Sequence, residues 1–395
     1  MEVTPRIRNL LRERLNGTLL MHPDDAAGST VRQMDPEAAA ALKVGSEVAS
    51  RLDAIVDAGS LFVTNNGPKV RDSLVSHGCT AYKAEKREEV LGQHQAAGKS
   101  INNMLQTALK GGQLATDEMS DITAGYLKQM TADCDLLLTA AGDMVIDDSL
   151  SHHCLQMAVL GMAIGVELGL DASNVRQVGL CGLVHDWGMV RVPEEIRLSS
   201  RRLSDSEFLE IKKHPIYSLQ LLEQVNGIPT VVPLVSYQVH ESPDGSGYPR
   251  GRMGKSIHLF ARILKVADAF IGLTTDRPFR PPLLPYAAME SILRLSRKQH
   301  FDQDVVRALL GVLSLFPIGS YVVLSDGTAA RVIRRNGKNY TKPIVQRIQT
   351  ADGAACPEGD VIDPAESQLS IVQALPAPGS KETFVQPEYM LPTAQ

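Results

Sequence analysis

Between residues 151 and 315 the apolar positions recur at intervals of three and four, the spacing of helices with one buried face. Capping signals mark where these helices begin. Asp171 or Ser173 precedes one helix, and the capping box Ser204-Asp-Ser-Glu207 opens another that ends at His214. The pattern predicts a helical bundle, with further helices over residues 231–240, 256–273, 286–299 and 304–315.

Two shorter regions precede the bundle. Residues 86–144 are polar over much of their length and predict connecting helices. Residues 1–85 predict a small α/β unit, which is a candidate regulatory region. The elements predicted in this unit are a helix over 36–58, a strand over 61–64, a helix over 69–77 and a strand over 78–82.

After residue 315 the apolar period changes from helical to alternating. Residues 316–375 therefore predict a small β appendage, and residues 376–395 predict a disordered tail. The predicted fold class is mainly α, with a small N-terminal α/β unit and a short C-terminal β appendage. Strands are predicted at 321–324, 330–333 and 343–348.

The composition describes a globular chain without a nucleic-acid surface. The 395 residues are 44% hydrophobic and 22% charged, and the net charge of −5 argues against binding to DNA or RNA. No apolar run has the roughly 20 residues of a membrane span, and the first residues lack a signal peptide. The five scattered cysteines indicate reduced thiols. We therefore expect a cytoplasmic protein.

Histidines and carboxylates recur at helix-sized intervals within the predicted bundle. His185 and Asp186 are adjacent, and they offer a nitrogen ligand and a carboxylate that can bridge two cations. Asp268 lies in an apolar segment, where a buried carboxylate needs a cation or hydrogen-bond donors. The layout predicts a buried metal site built from different helices, with His153, His185, Asp186, His214, His240 and Asp268 as its members.

A glycine loop follows His240 directly. Residues 239–251 read Val-His-Glu-Ser-Pro-Asp-Gly-Ser-Gly-Tyr-Pro-Arg-Gly, so the loop places Tyr248 among residues that allow tight turns. Taken alone it indicates a surface turn, but beside a metal ligand it is expected to form a wall of the site. Arg250, Arg252 and Lys255 are candidates for a positive rim.

These motifs together resemble the HD-GYP family, a branch of the HD-domain metal phosphohydrolases. The resemblance covers residues 145–315 and includes Asp276-Arg-Pro-Phe-Arg280. The β appendage is similar to one that follows many such domains. The motifs that carry the resemblance are His153, His185-Asp186, His214-Pro215, His240-Glu241, Asp244-Gly-Ser-Gly-Tyr-Pro249 and Val266-Ala-Asp268.

Membership would imply an HD-type helical bundle and a cyclic di-GMP phosphodiesterase that yields pGpG or GMP by attack of a metal-bound hydroxide. The resemblance implies two divalent metal ions, iron or manganese, bridged by Asp186. It also implies that His153, rather than His152, is the first ligand. Tyr248 would shape the nucleotide pocket. Arg277 and Arg280 are candidates for phosphate contacts, although both could equally be surface residues of a loop.

Three positions depart from the family pattern. Met189 replaces a lysine, Val239 replaces the first of two histidines, and Ser149 stands where members with a third metal have a glutamate. These departures keep two alternatives open. One is a weakened or inactive domain that acts as a signalling module by binding cyclic di-GMP or a protein. The other is a phosphodiesterase for another cyclic dinucleotide. A signalling protein partner and a homodimer also remain open.

Overall fold

The computed structural model describes residues 47–57, 63–143, 150–277, 280–357 and 359–384. Its helices are α1 Glu47–Asp57, α2 Ala84–Leu109, α3 Asp117–Asp143, α4 Leu150–Glu167, α5 Ala172–Val184, α6 Glu194–Arg197, α7 Asp205–Ile211, α8 His214–Leu222, α9 Val231–Gln238, α10 Leu259–Thr274, α11 Pro285–Arg297 and α12 Gln303–Leu313. Its strands are β1 Leu114–Ala115, β2 Val225–Asn226, β3 Tyr321–Leu324, β4 Ala329–Arg334, β5 Ile344–Gln349, β6 Val361–Ile362 and β7 Ile371–Leu375. The predicted mainly helical class with a C-terminal sheet is confirmed.

Helix α4 lies at the centre of the bundle and is buried along almost its whole length. It contacts α3, α5, α10 and α12, as expected for a helix that is apolar on every side. At Gly182 of α5, an added Cβ would lie only 2.8 Å from the Cα of Ala158 in α4. The two helices therefore approach closely, and this brings the His153 and His185 rings to within 5.3 Å.

The predicted helix starts are confirmed at α5 and α7. Asp171 accepts a hydrogen bond from the backbone N–H of Asn174 at 2.9 Å. Ser204 and Glu207 form the reciprocal capping box that the sequence indicates. His214, which was predicted to end α7, instead begins α8, because α7 ends at Ile211.

Helices α2 and α3 do more than connect two regions. Ile101, Met130 and Leu137 are fully buried and belong to the same apolar core as α4. The two helices thus form one side of the bundle, although their exposed faces are polar as predicted. Among the described helices, none combines the length and apolar content that a membrane span requires.

The segment before α2 differs from the predicted α/β unit. The described part of the predicted helix over 36–58 is helical and forms α1, but the predicted helix over 69–77 is only a 3-10 turn, Val70–Ser73. No strand forms in the described residues of 61–64 and 78–82. The remainder of the predicted unit, residues 1–46 and 58–62, lies outside the described residues.

The described segment before α2 forms hydrogen bonds with the turn between α4 and α5 and not within a sheet. The Asn65 side chain donates to the Gly169 carbonyl and accepts from the Asp171 N–H, and the Val70 N–H donates to Leu170. Since these partners satisfy its polar groups, the segment runs as an extended strap across the turn between α4 and α5.

The C-terminal sheet has the strand order β6-β5-β4-β3-β7, and its neighbours are all antiparallel. The three predicted strands are present, and β6 and β7 were not predicted. Arg334 of β4 joins the sheet to α3 through two contacts with the Asp133 carboxylate, at 2.9 and 3.0 Å. The tail was predicted to be disordered from residue 376, but the structure describes it as far as residue 384, where the Leu284 N–H donates to the Thr383 carbonyl. Residues 385–395 lie outside the described part.

Candidate metal centre

The structure brings the six predicted ligand side chains together at one end of the bundle. They arrive from separate elements, so their convergence depends on the tertiary fold and not on local sequence. His153 comes from α4, His185 and Asp186 from the C-terminal end of α5, His214 from the first residue of α8, His240 from the residues after α9, and Asp268 from α10.

Asp186 lies at the centre of this cluster. Its Oδ1 atom is 3.2 Å from His214 Nε2 and 3.4 Å from both His185 Nε2 and His240 Nε2. Its Oδ2 atom is 3.8 Å from His153 Nε2. One carboxylate thus faces four imidazoles, and its two oxygens point toward different members of the set.

The cluster divides into two groups of three that could each hold a metal ion. The first group is His153, His185 and Asp186, and the second is Asp186, His214 and His240. Within each group, the ligand atoms lie within 4.8 Å of one another. Asp186 belongs to both groups, which is the position a bridging carboxylate would take.

Asp268 lies beside both groups. Its Oδ1 atom is 3.5 Å from His153 Nε2, and its Oδ2 atom is 3.8 Å from His240 Nδ1. It therefore supplies a second carboxylate to a site rich in imidazole. Nitrogen and carboxylate donors together suit divalent transition metals such as iron and manganese.

Hydrogen bonds to the backbone fix the orientation of two histidines. His185 Nδ1 lies 2.9 Å from the Gly182 carbonyl, and His214 Nδ1 lies 2.7 Å from the Ile211 carbonyl. Each Nδ1 therefore donates to a backbone carbonyl, and each Nε2 faces the cluster. Both Nε2 atoms are buried and have no hydrogen-bond partner among the described residues. A bound cation would satisfy these two atoms, so the donor set fits a metal.

The ionisation of the cluster also suits metal binding. Burial lowers the pKa of His153 and of His240 to about 4, so both imidazoles are neutral at pH 7. Burial alone would raise the pKa of Asp186, but the neighbouring His185 and His214 outweigh this effect and hold it well below its ordinary value. Neutral imidazoles and ionised carboxylates are the forms that bind metals.

A tight contact between the Trp187–Arg191 turn and α8 positions His214. The hydroxyl of Ser218 donates to the His185 carbonyl at 2.9 Å and accepts from the Gly188 N–H at 2.8 Å. An added Cβ at Gly188 would lie 2.0 Å from the His214 carbonyl oxygen. Glycine at this position therefore lets α8 approach near enough for His214 to face Asp186.

The glycine loop, residues 239–251, packs against the second group. The Tyr248 ring stacks on the His240 ring with the centroids 5.0 Å apart, and the Tyr248 N–H donates to the His240 carbonyl at 3.2 Å. Gly247 is needed here, because an added Cβ would lie 2.3 Å from the Ser242 nitrogen. Burial raises the pKa of Tyr248 well above its ordinary value, so its hydroxyl remains protonated.

Two charged residues support this wall: Glu241, which the sequence indicated only as part of a motif and without a role, and Lys265, which was missed. The buried carboxylate of Glu241 accepts hydrogen bonds from the Arg250 and Arg252 backbone N–H groups at 2.7 and 2.9 Å. Lys265, one turn before Asp268, donates to the His240 carbonyl at 3.2 Å. The signal for Lys265 was a lysine inside an apolar helix, where an isolated charge needs a partner.

The two arginines predicted to bind phosphate have different surroundings. The Arg280 guanidinium donates to the Leu273 carbonyl at 3.1 Å and also to the Gly272 carbonyl, so it caps the C-terminal end of α10. The charge of Arg277 is near enough to contribute to the lowered pKa of His153, behind burial and His185. Arg277 is therefore the better placed of the two for a ligand at the cluster.

The predicted positive rim differs in the structure. Arg250 and Arg252 pair with Asp53 of α1, at 2.8 and 2.7 Å, so their charges are not available to a ligand. Another cation lies near the site: Lys212 Nζ is 4.8 Å from the centroid of the Phe208 ring and 5.8 Å from that of Tyr248. The described residues provide no ion-pair partner for Lys212, which had not been singled out in the sequence.

Comparisons with known proteins agree with this site. The HD domain family profile matches residues 143–305. A cyclic di-GMP phosphodiesterase of Pseudomonas aeruginosa, PA4108, is 31% identical over 233 residues, which cover 59% of this chain and 55% of the relative. The 3′3′-cGAMP-specific phosphodiesterase 1 of Vibrio cholerae is 41% identical over 129 residues, covering 33% and 30%. The chain thus spans about half or less of the length of these relatives.

A solved structure of Bd1817, an HD-GYP-type protein from Bdellovibrio bacteriovorus, aligns over 67% of this chain and 78% of its own, with a TM-score of 0.47 and 18% identity. The family assignment rests on the sequence matches and on the motifs themselves, which fall within the matched region. The predicted resemblance is confirmed: the HD domain family model matches residues 143–305, and the HD-GYP motifs lie within this range.

Proposed function

We propose that the chain is a metal-dependent phosphodiesterase that hydrolyses a cyclic dinucleotide, with cyclic di-GMP as its substrate. The observation that carries the proposal is the position of Asp186 in both ligand groups. A shared carboxylate between two groups of imidazoles is suited to a pair of cations, and two-metal sites are common in enzymes that cleave phosphate esters. The names of the relatives from Pseudomonas aeruginosa and Borreliella burgdorferi, both cyclic di-GMP phosphodiesterases, support this choice of substrate.

The metal-binding residues in this proposal are the six side chains of the cluster. His153 and His185 would hold one divalent ion, His214 and His240 the other, and Asp186 would contact both. Asp268 would complete the coordination, and iron or manganese suits the donors. When bound, the two ions would activate a water molecule and neutralise charge on the phosphate oxygens.

The reaction adds one water molecule to each phosphodiester that is cleaved. The water oxygen forms a bond to phosphorus, the bond between phosphorus and the 3′ oxygen breaks, and this leaving oxygen takes up a proton. Opening the ring yields the linear dinucleotide pGpG, and a second cleavage yields GMP.

In this proposal, three residues outside the ligand set would bind the substrate. Tyr248, stacked on His240, provides a protonated hydroxyl and the edge of an aromatic wall beside the second group. Arg277 contributes positive charge on the His153 side of the cluster. Lys212 contributes it beside Tyr248, so the two cations would hold phosphate oxygens on different sides of the metals.

Lys212 bears directly on the departure at Met189. Met189 is half-buried in the turn that follows Asp186, and its thioether cannot take the place of a lysine toward phosphate. The half-buried ammonium of Lys212, the residue that follows α7, lies beside Tyr248 and can provide the missing charge. We therefore favour an active enzyme over a domain that binds cyclic di-GMP without turnover.

A second candidate substrate is 3′3′-cyclic GMP-AMP. The Vibrio cholerae relative named for this substrate is 41% identical over 129 residues. Both dinucleotides present the same phosphodiester ring to the metals and differ in one base. The proposed phosphate contacts are thus common to both, and the preference has to be measured.

Anaerobic hydrolysis of the two dinucleotides tests the proposal. The purified protein is loaded with manganese or ferrous iron, and products are separated by chromatography. Formation of pGpG or GMP from cyclic di-GMP at a higher kcat/KM than cleavage of cyclic GMP-AMP supports the proposal. The reverse preference would favour the second substrate. Binding of cyclic di-GMP by the metal-loaded protein with no product would contradict the enzyme and support the receptor.

A further inference from the structure

Helix α1 packs on the two helices that carry the second ligand group. Its buried residues Leu52 and Val56 form a separate apolar cluster with Ile216 and Leu219 of α8 and with Leu234 of α9. His214 is the first residue of α8, and His240 follows α9 by two positions. The contact surface of α1 therefore consists of the elements that position the second half of the metal centre.

Ion pairs extend this contact to the end of the glycine loop. Asp53 of α1 accepts from Arg250 at 2.8 Å and from Arg252 at 2.7 Å, and its side chain is only 20% exposed. Asp57 contacts Arg252 at 3.2 Å but is 72% exposed. Asp53 thus connects two arginines that would otherwise repel each other, whereas water screens most of the Asp57 pair. We call these four residues the α1 clamp.

The clamp is linked to the metal ligands through the loop backbone. The N–H groups of Arg250 and Arg252 bind the Glu241 carboxylate, and Glu241 directly follows His240. Tyr248, two residues before Arg250, stacks on the His240 ring. A displaced loop end would therefore move Glu241 and Tyr248, which both support His240. Among the described residues, the loop end makes no comparable contact with His153 or His185.

We propose that Asp53 is a positioning residue for the second ligand group, holding the glycine loop so that His240 stays in place to bind its metal ion. This inference rests on the two-metal centre of the proposed function. It predicts that loss of Asp53 weakens the metal held by Asp186, His214 and His240 and leaves the other metal unaffected. The centre would then be controlled by a helix that lies outside the HD domain match at residues 143–305.

The test is calorimetric titration of the metal-free full chain with Mn²⁺, comparing Asp53→Asn with Asp57→Asn. We expect two sites in the wild type. In Asp53→Asn, Kd of one site should rise about tenfold, the lower end of the range for residues that support metal ligands. Asp57→Asn should change neither Kd by more than about twofold, since its pair is exposed. Asp53→Glu keeps the charge and should recover most of the loss.

A double variant shows which of the two metal sites depends on Asp53. His214→Ala removes a ligand of the second group, and one Mn²⁺ site should remain. Adding Asp53→Asn to this variant should leave that remaining Kd unchanged. Circular dichroism and thermal melting of every variant establish that it is folded.

The outcomes separate the clamp from the proposed function. A wild type that binds two Mn²⁺ ions, with both Kd values unchanged in Asp53→Asn, overturns the clamp alone. An equal loss at both sites also overturns it. A wild type that binds two ions, responds to Asp53→Asn as expected and fails to hydrolyse any dinucleotide overturns the phosphodiesterase alone. Binding of fewer than two ions by the wild type overturns both.

Discussion

Replacing Gly188 with alanine tests the contact that places His214 beside Asp186. The added Cβ would lie 2.0 Å from the His214 carbonyl oxygen and 2.4 Å from the Ser218 nitrogen. Both are backbone atoms, so no side chain can rotate away. Since Cβ contacts under 3.0 Å are essentially never seen, the turn and α8 must separate by at least 3.0 − 2.0 = 1.0 Å.

This separation has a cost for folding and a cost for metal binding. Overpacked core positions lose roughly 1–3 kcal/mol, and a clash with fixed backbone belongs at the upper end, about 3 kcal/mol. A shift of about 1 Å also far exceeds the tolerance of roughly 0.2 Å for metal–ligand distances. We therefore expect Gly188→Ala to lower the free energy of unfolding and to lose the metal held by His214.

Urea denaturation of the metal-free protein, followed by metal analysis of the reloaded protein, measures both effects. Gly92→Ala is the matched control, because Gly92 is an exposed position of α2 where an added Cβ meets nothing within 4 Å. That change should raise the free energy of unfolding by roughly 0.5–1 kcal/mol. A Gly188→Ala protein that unfolds at the wild-type urea concentration and keeps its full metal content would refute the role of this contact.

Three further predictions concern single side chains. In hydrolysis assays, Lys212→Ala should raise KM about tenfold, the effect of losing one charge-assisted hydrogen bond, and should change kcat little. Lys213→Ala should leave KM at the wild-type value, because the Lys213 ammonium pairs with Glu210 at 2.5 Å. Equal KM values for Lys212→Ala and Lys213→Ala would contradict the role of Lys212. Arg277→Ala should also raise KM. Arg280→Ala should leave KM unchanged and should lower the free energy of unfolding by about 1 kcal/mol, because it removes the cap at the end of α10. Burial lowers the pKa of His94 from 6.5 to about 4, so the unfolded chain takes up a proton first and stability is lost as the pH falls through this range. At ~1.36 kcal/mol for each pH unit between these two values, His94 accounts for about 3 kcal/mol of this loss. In urea titrations of the metal-free protein, His94→Gln should therefore lose about 3 kcal/mol less than the wild type, and parallel curves for the two proteins would contradict this.

The six side chains of the cluster could be named as candidates from the sequence because the signals at several of them are local. His185-Asp186 ends a predicted helix, and Asp268 interrupts an apolar one, so each side chain needed a buried polar partner. The helix starts at Asp171 and Ser204 could also be predicted, because a capping side chain binds a backbone N–H only three positions along the chain. These local signals do not determine how closely the turn after Asp186 approaches α8, which depends on the absence of a side chain at Gly188.

Of three predictions that differ from the structure, two involve contacts between distant positions. Arg250 and Arg252 looked like a free positive rim, but their partner Asp53 lies about two hundred residues earlier. Arg280 resembled a phosphate ligand, and its donors are instead occupied by the end of α10. The strap before α2 resembled an α/β unit because its apolar residues fit a strand, but the described residues offer it no neighbouring strand, and the turn after α4 supplies its hydrogen bonds.

The metal content of the wild type and of Asp186→Asn tests the central claim most directly. Both proteins are reconstituted anaerobically, freed of excess metal and measured by mass spectrometry, with the exposed Asp304→Asn as the control. The shared position of Asp186 predicts two metal ions per chain in the wild type and in the control. It predicts loss of both ions in Asp186→Asn, because the amide cannot bridge them. Two ions retained by Asp186→Asn, or fewer than two bound by the wild type, would contradict it.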